Sequence, residues 1–156
     1  KNGDIHYDYS LSFCVFCKNE EIKKRTIIRN KFAFAFPTNI PVVPGHTIIC
    51  PVRHRETIND LIPRELKAIL DLQQRLKKSL RKTFGATGFN YAWNEGEAAG
   101  QNIPHFHLHI LPRKKGDTGV TRYEPRKFLY RPVSREKTPE MELCAAAALI
   151  KKNLKV

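Results

Sequence analysis

Residues 100–111 of this chain read GQNIPHFHLHIL, a stretch in which histidine recurs at every second position. His105, His107 and His109 alternate with single apolar residues. Because successive side chains of a β-strand point to opposite faces of a sheet, the three imidazoles would share one face while the apolar residues enter the core. We therefore predict a strand over residues 103–111, with imidazoles placed to bind a metal ion or a phosphate.

The loop before this strand, residues 94–102 (NEGEAAGQN), favours one of two chemistries. The imidazoles could bind a catalytic metal that holds a water molecule. Alternatively, a neutral imidazole attacks phosphorus while its neighbours hold the phosphate oxygens. The loop offers glycine backbone amides and the side chains of Asn94, Gln101 and Asn102, which suit phosphate oxygens and are poor ligands for a catalytic metal. A phosphoryl- or nucleotidyl-transfer site is therefore favoured.

The remaining apolar patterns predict an α+β fold. Short stretches rich in Ile and aromatic residues predict further strands at residues 26–29, 32–36, 46–52 and 88–94. Residues 63–84 predict the longest helix, with Pro63 at its first position. Its apolar stripe comprises Leu66, Ile69, Leu70, Leu76, Leu80 and Phe84. Thr138 and Pro139 open a C-terminal helix over residues 138–152. We expect an antiparallel sheet covered by the long helix.

The composition fits a single domain over all 156 residues. Hydrophobic residues make up 41% of the chain, which excludes wholesale disorder. The 28 Lys and Arg residues outnumber the 15 Asp and Glu residues, for a net charge of +13, and a basic stretch over residues 113–137 predicts a loop. This charge favours a polyanionic partner such as nucleic acid, an anionic membrane or a phosphate-rich small molecule. No apolar run reaches about 20 residues, so we expect a soluble protein.

The four cysteines do not suggest a disulfide framework. Cys14 and Cys17 form a C-x-x-C pair, whereas Cys50 and Cys144 stand alone. A chain of this size can build a core without disulfides. The pair is compatible with a metal-binding knuckle, a redox pair or chance, and a metal site requires two further ligands.

The histidine stretch resembles the signature of the histidine-triad family, His-φ-His-φ-His-φ-φ with φ apolar, preceded by Gly-Gln. Residues 41–51 (PVVPGHTIICP) resemble its second marker, a Gly-His that opens a strand. With the C-x-x-C pair and the long helix, the resemblance covers a core of about residues 14–113. The Pro-Val-Val-Pro-Gly-His run, the Leu-Pro-Arg after the triad and the Ala-rich tail are most similar to the fragile-histidine-triad branch, which cleaves dinucleoside polyphosphates to release a nucleoside monophosphate.

The resemblance implies catalytic roles for four residues. His107, the middle histidine, would be the nucleophile that forms a nucleotidyl-histidine. His109 would bind the α-phosphate, and Gln101 would hold phosphate oxygens and the leaving group. His46 would flank the triad and help to fix its protonation pattern.

The resemblance also implies a substrate-binding set. Asn94, Gly100 and Asn102, together with Gln101 and His109, would cradle the phosphates. Family members usually place an acidic or amide residue on the ribose eight positions before the flanking histidine, where this chain has Thr38 followed by Asn39. The position after Gln101, commonly Ser or Thr in the family, is Asn102.

Zinc-bearing members of the wider superfamily indicate which residues would be the two further metal ligands. They use the C-x-x-C pair, a histidine that follows a strand and the first histidine of the triad. The corresponding residues are Cys14, Cys17, His54 and His105. Two cysteines and two histidines would form a closed, structural zinc site and leave His107 free of metal.

We therefore expect a cytoplasmic, homodimeric nucleotidyl hydrolase that acts on dinucleoside polyphosphates and does not associate with membranes. One alternative is hydrolysis of nucleoside phosphoramidates or adenylated amines. A second is a basic nucleotide- or nucleic-acid-binding module with little turnover. The sequence has no nucleic-acid-binding motif with interleaved aromatic residues, so nucleic acid is the less favoured partner.

Overall fold

A computed structural model describes residues 14–117 and 137–154. Its centre is a five-stranded antiparallel sheet with the strand order β1-β2-β3-β5-β4. The strands are β1 (Ile28–Arg29), β2 (Ala33–Pro37), β3 (Thr47–Pro51), β4 (Gly88–Ala92) and β5 (Leu108–Arg113). The helices are α1 (Val15–Lys18), α2 (Glu20–Lys24), α3 (Pro63–Phe84) and α4 (Glu140–Lys152), with 3-10 turns at Ile58–Asp60 and Glu97–Ala99. The predicted α+β fold is confirmed.

Helix α3 begins and ends at the predicted residues for identifiable reasons. Pro63 occupies the first helical position, and the Glu65 carboxylate accepts a hydrogen bond from the Ile62 amide while it pairs with Arg53. Gly85 ends the helix in the left-handed conformation, with φ +67°. Most of the predicted stripe is confirmed, but Leu70 is exposed and Leu72 is buried instead.

The sheet separates two apolar clusters. One face packs against α3 and α4 through a core that includes Ile49, Leu76, Ile110 and Ile150. The opposite face carries a smaller cluster contributed by the N-terminal helices and strands β2 and β3: Cys14, Phe16, Ile22, Phe34, Phe36, Ile48 and Cys50. His109 lies beside Ile48 in the antiparallel register, so the histidines belong to this second face.

Strand β5 starts later than predicted. It runs from Leu108 to Arg113, so of the three histidines only His109 lies within it. Pro104 has no N–H, the His105 N–H donates to the Ile103 carbonyl (2.8 Å), and the Phe106 N–H donates to the Arg55 carbonyl (2.6 Å). These bonds take the place of the sheet ladder before β5. The predicted alternation persists, because Phe106, Leu108 and Ile110 all enter the main core.

Only the first residues of the predicted basic loop, 113–117, and its last, residue 137, belong to the described part of the chain. Arg113 ends β5 and forms a paired hydrogen bond with Asp117, whereas residues 118–136 lie outside the described residues. Helix α4 begins two residues after the predicted start and packs on α3, where the Ser79 hydroxyl donates to the Ile150 carbonyl. None of the helices within residues 14–117 and 137–154 is long and apolar enough to cross a bilayer.

Gly45 is the glycine whose replacement we expect to damage the fold most. Its φ is +85°, and a Cβ there would lie 2.8 Å from the Phe84 ring and 2.9 Å from Pro112. Strain and overpacking together predict that Gly45→Ala lowers the free energy of unfolding by about 2–4 kcal/mol. Urea denaturation measures this change. Gly88→Ala is the matched control, since a Cβ there meets no atom within 4 Å; equal losses in both variants would contradict the assignment.

Candidate active site and metal-binding group

The start of β3 and the start of β5 bring three predicted catalytic histidines together. His46, His107 and His109 are 5%, 6% and 9% exposed, respectively. The ring centroids of His107 and His109 are 4.9 Å apart, and those of His46 and His109 are 5.1 Å apart. A single row of imidazoles therefore runs from β3 to the segment before β5.

A backbone amide sets the tautomers at one end of this row. The Val42 N–H donates to Nδ1 of His46 (3.0 Å), so the ring hydrogen of neutral His46 lies on Nε2. That Nε2 lies 2.9 Å from Nδ1 of His109 and donates to it. His109 therefore carries its own hydrogen on Nε2, where it is a hydrogen-bond donor.

A backbone carbonyl sets the tautomer of His107. Nδ1 of His107 lies 2.8 Å from the carbonyl oxygen of His105, which can only accept a hydrogen bond. Nδ1 therefore carries the hydrogen, and in the neutral ring the lone pair lies on Nε2. This tautomer is the one that a nucleophilic Nε2 requires.

The Gln101 side chain closes the glycine-rich loop and ties it to the segment that follows β3. Its Oε1 accepts a hydrogen bond from the Gly96 N–H (2.8 Å), and its Nε2 donates to the Glu56 carbonyl (2.9 Å). Gly96 and Gly100 both have positive φ, at +84° and +88°. The two bonds of the Gln101 side chain therefore fix the conformation of the loop.

The other residues predicted for substrate binding lie around this centre. The Thr38 N–H donates to the His46 carbonyl (3.2 Å), so Thr38 lies beside the histidine row. The Asn39 carbonyl accepts a hydrogen bond from the Thr138 N–H (2.7 Å), which ties it to the start of the C-terminal helix. Asn94 and Asn102 lie at the two ends of the glycine-rich loop, with Asn102 exposed. Their contacts with substrate remain predictions.

A second group forms where the N-terminal helices meet the segment before β5. Cys14, Cys17, His54 and His105 each contribute one ligand atom, and these atoms all lie within 4.8 Å of one another. Nδ1 of His105 is 3.4 Å from each of the two sulfur atoms, and Nδ1 of His54 is 3.5 Å from Sγ of Cys17. Ligands of a single tetrahedral ion with sulfur and nitrogen donors lie about 3.5 Å apart. The four predicted residues therefore fit a metal ion.

The protonation of His105 also suits a ligand. Its Nε2 lies 2.8 Å from the Pro51 carbonyl and donates to it, so the lone pair on Nδ1 faces the two cysteines. Histidine ligands of metals usually have such a carbonyl partner. Burial lowers the pKa of His105 to about 4, and the ring is neutral at physiological pH. Burial and the neighbouring Cys14 raise the pKa of the Cys17 thiol to about 11, so without a bound cation this thiol keeps its proton.

The sequence of this chain matches the family model described as the HIT domain over residues 19–116. This match covers more than half of the chain and includes the row of histidines. The chain is a member of the HIT family. The resemblance to the histidine-triad family is thereby confirmed.

Several curated HIT relatives carry the names of hydrolases. A bis(5'-adenosyl)-triphosphatase of Dictyostelium discoideum is 32% identical over 109 residues, which are 70% of each chain. An asymmetrical bis(5'-nucleosyl)-tetraphosphatase of Schizosaccharomyces pombe is 34% identical over 96 residues, 62% of this chain and 53% of the relative. An adenosine 5'-monophosphoramidase of Saccharomyces cerevisiae is 28% identical, over 69% of this chain and 66% of the relative.

Solved HIT structures share the fold. A diadenosine triphosphate hydrolase of Plasmodium falciparum has a TM-score of 0.68 and 27% identity, over 83% of this chain and 76% of its own. A zinc-bound histidine-triad family protein of Mycobacterium smegmatis has a TM-score of 0.68 and 26% identity, over 92% of this chain and 94% of its own.

Proposed function

We propose that this HIT protein hydrolyses dinucleoside polyphosphates at the α-phosphorus and releases a nucleoside monophosphate. The observation that carries the proposal is the hydrogen bond from Nδ1 of His107 to the His105 carbonyl, which leaves the lone pair on Nε2. The relatives named as a triphosphatase and a tetraphosphatase support the substrate class. The net charge of +13 also favours a substrate with several phosphates.

The reaction would take two displacements. In the first, Nε2 of His107 attacks the α-phosphorus, a P–N bond forms, and the bond to the bridging oxygen of the leaving polyphosphate breaks. His109, whose Nε2 carries a hydrogen, would donate to the charged phosphoryl oxygens, with the side-chain amide of Gln101 as a further donor. In the second, water attacks the same phosphorus and the P–N bond breaks. His107 recovers its lone pair, and the proton of the water passes to solvent as the nucleoside monophosphate forms.

We assign the remaining polar residues around this centre to substrate binding. Asn94, Gly100 and Asn102 would hold phosphate oxygens from the glycine-rich loop. The Gly100 amide donates to the Glu97 carbonyl (2.9 Å), so it would exchange this bond for one to phosphate. Thr38 and Asn39 would contact the ribose, because Thr38 lies beside His46 at the end of the histidine row.

Hydrolysis of nucleoside phosphoramidates is the second candidate. The Saccharomyces relative named as an adenosine monophosphoramidase supports it. Both substrate classes place a leaving group on the α-phosphorus, so the same attack by His107 would serve either one. The difference lies in the leaving group, which is a phosphate oxygen in one class and an amine nitrogen in the other.

A substrate panel tests the proposal. We expect the fastest turnover with diadenosine tri- or tetraphosphate, slower turnover with adenosine phosphoramidate, and one nucleoside monophosphate per cleavage, measured by chromatography. His107→Gly should lower kcat by several orders of magnitude while AMP still binds, because the nucleophile is lost and the phosphate donors remain.

Three outcomes would contradict the proposal in different ways. Near-normal turnover by His107→Gly would remove this residue from its role. Net inversion at a chiral α-phosphorus would contradict the two displacements, which predict retention. Tight oligonucleotide binding without nucleotide turnover would favour the basic binding module, and a steep salt dependence would identify it.

For the metal-binding group we propose zinc in a structural role. Two cysteines and two histidines form a common closed zinc site, and the similar Mycobacterium structure is described as zinc-bound. Bound zinc would join the N-terminal helices to the segment before β5. His107 and His109 do not belong to this group and would not ligate the zinc.

Metal analysis tests this role. Protein purified without chelator should carry about one zinc per chain, and its removal should lower the thermal midpoint, because metal binding and folding are coupled. Cys17→Ser should lose the zinc. The control Cys144→Ser should keep it, since Cys144 is exposed on α4 and remote from the group. Absence of zinc from the wild-type protein would contradict the proposal.

We also propose that the protein is a cytoplasmic homodimer. Among residues 14–117 and 137–154, strand β4 lies at one edge of the sheet, and no described strand pairs with its outer side. Tyr91 on β4 and Trp93 just after it are 38% and 45% exposed. An edge strand with exposed aromatic residues favours pairing with a second copy.

Sedimentation equilibrium tests the dimer. We expect a mass of about twice 18.0 kDa at micromolar concentration. Tyr91→Lys should raise the dissociation constant at least tenfold by placing a charge at the edge. Met141→Lys is the control, because Met141 is highly exposed on α4 and lies on a different element. A wild-type monomer at all concentrations would contradict the dimer.

A further inference from the structure

Phe16 contacts the histidine that carries the proposed chemistry. It lies between the two cysteines of the C-x-x-C pair, on helix α1, and is 8% exposed. Its ring centroid is 5.1 Å from that of His107 and 5.8 Å from that of His105, with interplanar angles of 73° and 77°. These are edge-to-face contacts, a favourable geometry for aromatic rings.

The two cysteines of the metal-binding group flank this phenyl ring. The Cys17 and Lys18 amides both donate to the Cys14 carbonyl, so Phe16 belongs to a single short turn. The sulfur atoms on either side of it face Nδ1 of His105. A cation held by these ligands would fix the turn, and with it Phe16, relative to the segment that carries His107.

The hydrogen bond to the His105 carbonyl fixes one atom of the His107 ring but leaves its tilt open. Nε2 lies on the far side of the ring from this bond, so a change in tilt moves Nε2 more than it moves Nδ1. Phe16 contacts this ring in the edge-to-face geometry, and His109 contacts it at 4.9 Å. A displacement of about 1 Å at a reacting atom can cost a factor of about one hundred in rate.

We propose that Phe16 is a positioning residue for the His107 imidazole, held in place by the metal-binding turn that contains it. The proposal rests on the proposed function of His107 as nucleophile. It extends the role of the Cys-Cys-His-His group from fastening the N-terminal segment to orienting the nucleophile.

Substitutions within the C-x-x-C pair test this role. Phe16→Ala should lower kcat for diadenosine triphosphate by about 10–100-fold, while KM changes less than about threefold and zinc stays near one per chain. Phe16→Leu, which keeps apolar bulk, should recover most of the loss. Val15→Ala is the matched control, because Val15 lies in the same turn but is exposed. It should behave as the wild type.

Nitrogen-15 NMR of the histidine rings gives a second readout that needs no turnover. The wild-type protein should show His107 as a single tautomer with its hydrogen on Nδ1 and a sharp Nε2 resonance. Phe16→Ala should keep this tautomer but broaden the Nε2 resonance, because the ring then samples several tilts. If the wild type turns over no nucleotide, the proposed function fails, but this spectrum still tests the positioning role.

Three results would overturn the proposal. The first is an unchanged kcat and an unchanged linewidth of the His107 Nε2 resonance in Phe16→Ala. The second is an equal loss of kcat in Val15→Ala, which would assign the effect to the turn as a whole. The third uses the wild-type protein alone and does not depend on zinc binding by the variants. An unchanged linewidth of the His107 Nε2 resonance after removal of the zinc would show that the metal-binding turn does not hold the imidazole.

Discussion

The hydrogen bond between the His107 ring and the His105 carbonyl joins the two halves of this site. His105 contributes its imidazole to the metal-binding group and its main-chain oxygen to His107. Its ring is held from both sides, by the Pro51 carbonyl at Nε2 and by the cysteines at Nδ1. Whatever fixes the His105 side chain therefore also restrains the carbonyl that selects the tautomer of His107. The histidine row and the metal-binding group form one structural unit.

This double use of His105 explains why β5 begins after the second histidine. In a regular strand over residues 103–111, sheet hydrogen bonds would dictate the position of every backbone group before β5. Instead Pro104 withholds a donor, and the amides of His105 and Phe106 bond to Ile103 and Arg55. The segment still places Phe106 in the core, so its apolar side remains anchored. On its other side, the His105 ring contacts the sulfur atoms of Cys14 and Cys17.

Sequence reasoning succeeded where local patterns decide the structure. Period-two alternation placed Phe106 in the core, and helical periodicity with Pro63 gave the bounds of α3. The family resemblance predicts the four residues that the structure brings together as a group able to hold a metal ion. Contacts between residues far apart in the sequence leave no pattern in the local sequence from which they could be predicted. Gln101 bonds to Glu56, 45 residues away, and Phe16 meets His107 across most of the chain. An apolar residue between two cysteines looks like any other core residue until its neighbours are known.

The Gly-His pair at the start of β3 shows how main-chain geometry controls the protonation of the row. The Val42 amide reaches Nδ1 of His46 because the chain turns back on itself between these residues, with the His46 N–H bonded to the Val43 carbonyl. That turn places Gly45 at φ +85° against the Phe84 ring, where a side chain does not fit. The glycine therefore permits the turn, and the turn directs the Val42 amide at Nδ1 of His46. Because Nδ1 accepts this bond, the ring hydrogen of His46 lies on Nε2, which faces His109. Two backbone groups, one donor and one acceptor, thus set the tautomers of all three imidazoles.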